Sequence, residues 1–543
     1  MGEQGFEQKA LVKAVDSAVQ EQERTAAELR LATPGGCFHV RWDEGGTATA
    51  LGQLAFFAEF LEVSGLFARW KEGCPMAYSS PNAPAVVDIL GTWLLSILDG
   101  QRRYAHVAGL RGDEVAPQIL GMNKIVSDES LRRALAHLAP NLRQRCSEEE
   151  RAARMVQLAK STAWMDNALS ESVREALRTA WILDADTTVK LLFGHQVGAE
   201  VGYNPTKPGR PSHTLHTYWI GNIRLVLDVE VQGGKAGSAK HSLPRLRLLI
   251  ERLSIEERPT LVRGDSAFGN EGVMGEMEEI GQPYLFKLRQ TAGVKRLIER
   301  QWRQGDWRHV GQGFDAVEGE LQLAGWSRAR RVVVLRRRVK DTLVAETGGD
   351  GPQQSLHFVD HSDKVKLWEY AVLVTNTDYT LEAMGQLYRD RADCENGFDE
   401  LKNQWGWGGY TTHDLERCNL SARAVALIYN WWSWYVRLAH PKNRLEAITS
   451  RPMLLSGVAR LTQHAGQSRL LLTLTHEAGE RIKAMIANIR KGLDHVLASA
   501  PQLPKTERWR ALVRYIVSTI VGARSENPLP IGLPPPGLAC GMG

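Results

Sequence analysis

The chain changes pattern at Thr179, and that change constrains its fold more than any other feature. From about residue 48 to 165, apolar residues recur at three and four spacing in LGQLAFFAEFLEVSGLF, VVDILGTWLLSILDG and ESLRRALAHLAP, the period of helices that bury one face. Beyond Thr179 that period is lost. TAWILDADTTVKLLF, TYWIGNIRLVLDVEV, PTLVRGDSAF and PYLFKLRQ are apolar runs rich in Val, Ile, Leu and aromatic residues, bounded by Gly and Pro. Such runs suit strands covered on both faces, so a buried mixed sheet is predicted behind a helical region.

Two of these predicted strands end in aspartates: Asp184 and Asp186 in WILDADTT, and Asp265 in LVRGDSAFG. Strand ends deliver side chains to one edge of a sheet, where catalytic groups commonly sit. Asp184 and Asp186 stand two apart and project to the same side, so either can be the first acid. A third acid lies in YRDRADCENGFDELK, where Tyr388, Arg391, Glu395 and Lys402 follow the spacing Y-x2-R-x3-E-x6-K. On one helix these four fall along a single stripe. Mixed charge on a helix ordinarily means an exposed face with internal salt bridges. The two strand-end acids elsewhere in the chain shift the reading toward a polar stripe facing one site.

Together these features resemble the DDE transposases of bacterial insertion sequences, in the cut-and-paste group with a Y-R-E-K signature around the last acid. The resemblance rests on D-T-T at Asp186 to Thr188, G-D-S at Gly264 to Ser266, the Y-R-E-K set, and GYNPTKPGRPSH at Gly202 to His213. It covers about residues 90 to 440 and is nearest to the thirteen-eighty branch of the insertion-sequence-four superfamily. It implies an α/β fold: an RNase H-like catalytic core with a β-rich insertion, flanked by helical N-terminal and C-terminal regions. The first acid would lie on the first strand, the second on the fourth and the glutamate on a following helix. The long gap between Asp265 and Glu395 resembles the family's insertion.

The resemblance further implies that Asp186, Asp265 and Glu395 are the catalytic metal ligands, with Asp186 preferred over Asp184 because it fills the D-x-T position. The implied cofactor is Mg²⁺, as two ions, with Mn²⁺ able to substitute. Phosphodiester cleavage needs a nucleophile at neutral pH and neutralised charge in the transition state, and two hard cations held by carboxylates supply both. Water would free a 3′ hydroxyl at each element end, and that hydroxyl would attack target DNA. Tyr388, Arg391 and Lys402 would contact DNA phosphates near the cut, Arg391 as a fork and Lys402 as a point charge. The implied partners are double-stranded DNA, both inverted repeats and target, and a second copy of the chain in the DNA complex. Two rival readings stay open: an RNase H-like nuclease that cleaves without joining, and a non-catalytic DNA-binding descendant of a transposase.

The organisation read from the sequence is an appendage at 1–47, whose charged helix closes at TPGG, then a helical DNA-binding region at 48–165. Catalytic core segments at 170–290 and 367–440 flank a β-rich insertion at 291–366, and a helical region at 441–525 and a Pro-rich tail at 526–543 follow. Gly121 to Leu138 has a polar turn, a capping Ser127 and a helix bearing Arg132 and Arg133. A recognition helix has that form, and so does an ordinary helix pair. In the insertion, Arg328, Arg330, Arg331, Arg336, Arg337, Arg338 and Lys340 flank VVVL and are read as DNA-backbone contacts, with a solvated edge strand as the alternative. Trp302, Trp307 and Trp326 of the same insertion read as core more readily than as base-stacking groups. YNWWSWYV reads as core, through a face of Ala424, Leu427, Ile428, Trp431 and Tyr435. His195, His213 and His216 have no zinc spacing and are expected to make ordinary hydrogen bonds.

Composition adds limits. The 543 residues are 43% hydrophobic and 24% charged, enough for a large core in several domains. The net charge of +5 and pI of about 8.8 are compatible with a nucleic-acid partner without requiring one. Six cysteines without a C-x-x-C pair indicate neither a zinc ribbon nor a disulfide framework. No apolar leader and no uninterrupted apolar span is read, so a cytoplasmic protein is expected, nucleoid-associated when on DNA. GGKAGSAK lacks the spacing of a nucleotide-binding loop, and ATP is not expected.

Overall fold

The computed structural model describes residues 29–43, 47–78, 80–205, 207–338, 368–410, 412–499 and 501–525. The N-terminal charged helix, Lys340 and the Pro-rich tail lie outside the described residues. The first described segment corrects one expectation. Leu29–Thr33 (β1) is a strand, and TPGG is the turn that pairs it with Gly36–Val40 (β2). Gly36 takes φ 115°, a conformation open to glycine.

The predicted helical region is built from helices Leu54–Ser64, Leu66–Glu72, Val86–Leu98, Val115–Ile119, Asp128–Leu138 and Glu148–Val173, with a short strand Ala48–Thr49 (β3) ahead of them. The apolar runs after Thr179 then form strands. Ile182–Leu191 (β4), Ser212–Ile220 (β5) and Leu225–Gly233 (β6) make an antiparallel meander. Leu261–Gly264 (β7) pairs parallel with β4, and Tyr284–Lys287 (β8) pairs parallel with β7. A helix, Ala239–Glu251, joins β6 to β7, and another, Glu271–Glu279, joins β7 to β8, the crossovers that parallel pairing requires.

The segment read as a β-rich insertion opens with a helix, Ala292–Gln304. Its strands Arg308–His309 (β9), Phe314–Leu321 (β10) and Arg330–Arg338 (β11) add to the same sheet through Trp368–Thr375 (β12). The nine strands run in the order β6-β5-β4-β7-β8-β12-β11-β10-β9. β12 pairs antiparallel with both β8 and β11, so the chain returns to the sheet centre before the helices that carry the Y-R-E-K residues.

The C-terminal region departs from an all-helical reading. Between helices Ala447–Leu454 and Gly479–Ser499 stands a hairpin, Val458–His464 (β13) and Gln467–Thr473 (β14), which also pairs with β3. Its turn is Ala465-Gly466, both at positive φ (50° and 76°), the backbone that closes a two-residue hairpin. A last helix spans Lys505–Ser525. The expected aromatic core is present and wider than one face: helix Leu415–Ala439 is buried around its whole girth from Leu420 onward, with Trp431, Trp432, Trp434 and Tyr435 all at 2% exposure or less. Its buried Asn430 is satisfied, accepting from Val226 N at 2.9 Å and donating to Val226 O at 2.8 Å and Ser172 Oγ at 3.0 Å. None of the described helices is long and apolar enough to cross a membrane.

Candidate active site

The parallel pairing of β4 with β7 sets the site. Ala185 stands opposite Gly264 as the last paired position, so the next residues along, Asp186 and Asp265, emerge side by side. Asp265 is held in a tight turn: its Oδ1 accepts from Ala267 N at 2.9 Å and its carbonyl from Phe268 N at 3.1 Å. The turn needs Gly264, because a Cβ there would lie 2.6 Å from Phe268 Cγ. Asp186 Oδ1 accepts from Thr187 N at 2.7 Å, and Asp186 Oδ2 accepts from Arg391 Nη2 at 2.5 Å. Burial pushes the Asp186 carboxyl up to about 7, the Asp265 and Asp184 charges add to the rise, and Arg391 and the Thr187 N–H oppose it. The electrostatic gap is what a bound cation would fill.

Asp184 has a different place. It is 1% exposed and forms a two-bond pair with Arg263, Nε to Oδ1 and Nη2 to Oδ2 both at 2.6 Å, while Arg263 Nη1 donates to Leu387 O at 2.5 Å. A Cβ on Gly221 would collide with this carboxylate. Arg263 was not singled out from the sequence, although a charged residue inside the apolar run LVRG needs a buried partner and so carried a signal. Lys190, four residues beyond Asp186 on β4, was also missed. It is buried, its Nζ donates to Gly409 O, and burial pulls it down to about 8.

The Y-R-E-K residues do not share one helix. Leu381–Asp390 ends at the junction residue Arg391, and a second helix, Ala392–Gln404, follows. The expected single stripe is therefore divided. Arg391 reaches Asp186, and Lys402 lies within electrostatic reach of it: burial lowers the Lys402 ammonium, against the raising effect of Asp186 and Asp399. Tyr388 packs instead on an apolar cluster that includes Val310, Leu335 and Met384. Glu395 is exposed on the second helix. Among the described residues, no three His, Cys, Asp or Glu side chains converge closely enough to hold a metal ion. Two of the three expected acids, Asp186 and Asp265, are side by side. The donor chemistry of Asp186 and Asp265, adjacent hard carboxylate oxygens, fits a divalent cation.

Residues 41–493 match the family model described as transposase DDE domain, group 1. The chain belongs to that family. No curated protein matches it in sequence. Among solved structures it is similar to the piggyBac transposase synaptic complex with hairpin DNA, determined by cryo-electron microscopy, at 12% identity over 90% of this chain and 87% of that one, with a TM-score of 0.35. Membership implies nuclease or transferase activity on DNA in transposition, and DDE transposases generally use divalent metal ions.

Five of the arginines expected on DNA are engaged inside this DDE transposase domain, and Arg338 is exposed at the end of β11. Arg330, 2% exposed, pairs with Glu271 and Glu278 at 2.6 and 2.7 Å. Arg328 pairs with Glu278, Arg331 with Glu318, and Arg337 with Glu369. Arg336 pairs with Asp315 and lies 4.0 and 4.4 Å from the ring centroids of Trp307 and Trp368. Trp302, Trp307 and Trp326 pack against the main core. Ser127 caps helix Asp128–Leu138, accepting from Ser130 N at 3.1 Å, but Arg132 and Arg133 face Asp128 and Glu129 one turn back, at 3.6 and 2.8 Å. His213 hydrogen-bonds Val197 O at 2.8 Å and the buried His216 bonds Ser242 Oγ. His195 is exposed.

Proposed function

We propose that this transposase binds the terminal inverted repeats of a bacterial insertion sequence, cleaves at the element ends and joins the 3′ ends to target DNA. Within the family we place it in the insertion-sequence-four superfamily, nearest the thirteen-eighty branch. The observation that carries the reading is the register that sets Asp186, midway along β4, beside Asp265 where the parallel pairing of β4 with β7 ends, with Arg391 on Asp186. The strand order β6-β5-β4-β7-β8, a three-strand meander whose first strand pairs parallel with β7, which in turn pairs parallel with β8, supports an RNase H-like core, with Asp186 on its first strand and Asp265 after its fourth.

Asp186 and Asp265 would hold Mg²⁺, with Glu395 as the third acid. The cation would lower the pKa of bound water and neutralise charge on the phosphoryl group. The protein's own groups do the rest. Arg391 supplies a counter-charge to Asp186 and brings a guanidinium, a group that bonds phosphate, to the site. Lys402, weakened in its hold on a proton by burial, adds a positive point charge near the same acid. Tyr388, packed at the base of the first helix, positions the junction that presents Arg391. Joining two element ends calls for two such sites, hence a homodimer on DNA.

The exposed position of Glu395 also suits the second reading, a non-catalytic DNA-binding protein. Cleavage of a duplex carrying the element end separates the two. Wild type should cleave with Mg²⁺, and Asp265→Ala or Glu395→Ala should abolish cleavage while end binding persists, since phosphate contacts dominate affinity. Equal cleavage by wild type and both variants would overturn the triad, and metal-independent binding with no cleavage by wild type would favour the second reading.

A further inference from the structure

The loop from β4 to β5, residues 192–211, carries a surface that folding leaves uncovered. Phe193 is 71% exposed and Tyr203 64%. Cations stand over Phe193: the Arg210 guanidinium carbon lies 4.9 Å from its ring centroid and Lys207 Nζ 5.7 Å. Arg330, Arg331, Arg336 and Arg337 of β11 are answered by carboxylates; these two face a ring.

The loop is held in shape. Glu200 and Ser212 exchange backbone hydrogen bonds at 3.4 and 3.0 Å, Gly234 N donates to Gly198 O at 3.1 Å, and Arg210 N donates to Lys207 O at 3.2 Å. Its first limb is seated by Val197 N on His413 O at 3.0 Å. There Gln196 borders a cavity of about 260 Å³ whose wall includes Arg132, His413 and Arg417. Two exposed rings, two cations over one of them and a border on a cleft walled by two arginines therefore belong to one loop, which follows the strand that bears Asp186.

Cations over an exposed aromatic face beside an arginine-walled cleft fit nucleic acid, whose phosphates take the charge and whose bases and sugars take the rings. A strand advances about 3.3 Å per residue, which puts Phe193 up to about 23 Å beyond Asp186. At about 3.4 Å per base pair, that is about seven base pairs of duplex. We propose that the β4–β5 loop grips duplex DNA about seven base pairs from the scissile phosphate, with Lys207 and Arg210 on phosphates and Phe193 and Tyr203 against bases and sugars. The proposal rests on the transposase reading.

The test uses the full chain and a labelled duplex of arbitrary sequence, with affinity measured across salt concentrations. A Lys207→Ala/Arg210→Ala double variant should lose about 1.8 from the salt slope, near 0.9 for each phosphate contact, with unchanged thermal unfolding. Arg337→Ala, which removes a cation paired with Glu369, should keep the wild-type slope. With Tyr203→benzoylphenylalanine, irradiation should cross-link the protein to the duplex. Wild-type binding with an unchanged slope in the double variant, or with no cross-link from position 203, overturns the loop assignment alone. Failure of wild type to bind any duplex overturns the transposase reading beneath it.

Discussion

Replacing Asp184 and Asp186 by asparagine, one at a time, separates a structural pair from a candidate metal ligand. Asp184 and Arg263 are 1% and 3% exposed and share two charge-assisted hydrogen bonds of 2.6 Å. Asp184→Asn removes the charge and turns an amide N–H toward the guanidinium, which keeps its bond to Leu387 O. Breaking a buried pair from one side costs about 3–5 kcal/mol, because the remaining charge stays desolvated without its partner. For a chain of this size the melting temperature should fall by on the order of 5 °C. Asp186→Asn should behave in the opposite way. Burial and neighbouring acids have pushed that carboxyl up to about 7, so its charge opposes folding at neutral pH. Removing it should leave the melting temperature at or above wild type and abolish cleavage. The assay is thermal unfolding at neutral pH in chelator, beside Mg²⁺-dependent cleavage of an end-bearing duplex. An Asp184→Asn protein that melts with wild type, or an Asp186→Asn protein that still cleaves, would refute the division of roles.

The same carboxyl gives a pH dependence with a definite sign. A folded-state value of about 7 against an ordinary 3.8 means that the folded chain holds a proton the unfolded chain has released, so in chelator stability should fall as pH rises from about 4 to about 7 and level off above. Urea midpoints across that range should show the fall in wild type and a flatter profile in Asp186→Asn, and a flat wild-type profile would contradict it. Lys402→Ala should reduce the salt slope of end binding by about 0.9 without moving the melting temperature, and an unchanged slope would return Lys402 to a structural role. Combined Arg331→Ala, Arg336→Ala and Arg337→Ala should lower the melting temperature and leave the salt slope alone, because each cation already has a carboxylate; a slope reduced by about one per arginine would show that these pairs open on DNA.

The sheet was legible because strands buried on both faces are written as unbroken apolar runs, and β4 to β8 all begin or end at a Gly, Pro or polar boundary visible in sequence. The β13–β14 hairpin was not, because its turn is Ala465-Gly466 without the Asn or Asp that ordinarily signals one. At the site, strand alternation puts Asp184 and Asp186 on one side and cannot tell them apart; their difference comes from Arg263, which reaches Asp184 from the neighbouring strand. The helix break at Arg391 has no Pro or Gly to announce it, so a spacing that reads as one stripe became two segments. The β11 arginines looked free because Glu271 and Glu278, which hold Arg330, lie on a helix more than fifty residues earlier in the chain.

The first and last helices of the described chain pack on each other. Phe60 meets Trp509 with ring centroids 6.1 Å apart, Phe57 meets Tyr435 at 5.1 Å, and Glu62 pairs with Lys505. During synthesis the sheet strands can emerge and pair in order, but Phe57 and Phe60 must wait for partners made far later. At ribosomal rates of about 5–20 residues per second, the roughly 450 intervening residues take on the order of 20–90 s. The N-terminal helices are thus exposed on the nascent chain until the C-terminal helix arrives, and a prematurely ended chain would present Phe57 and Phe60 to chaperones and proteases. Completion of the polypeptide becomes a condition for closing the helical layer, so truncated products should be removed rather than persist as partial transposases that occupy DNA.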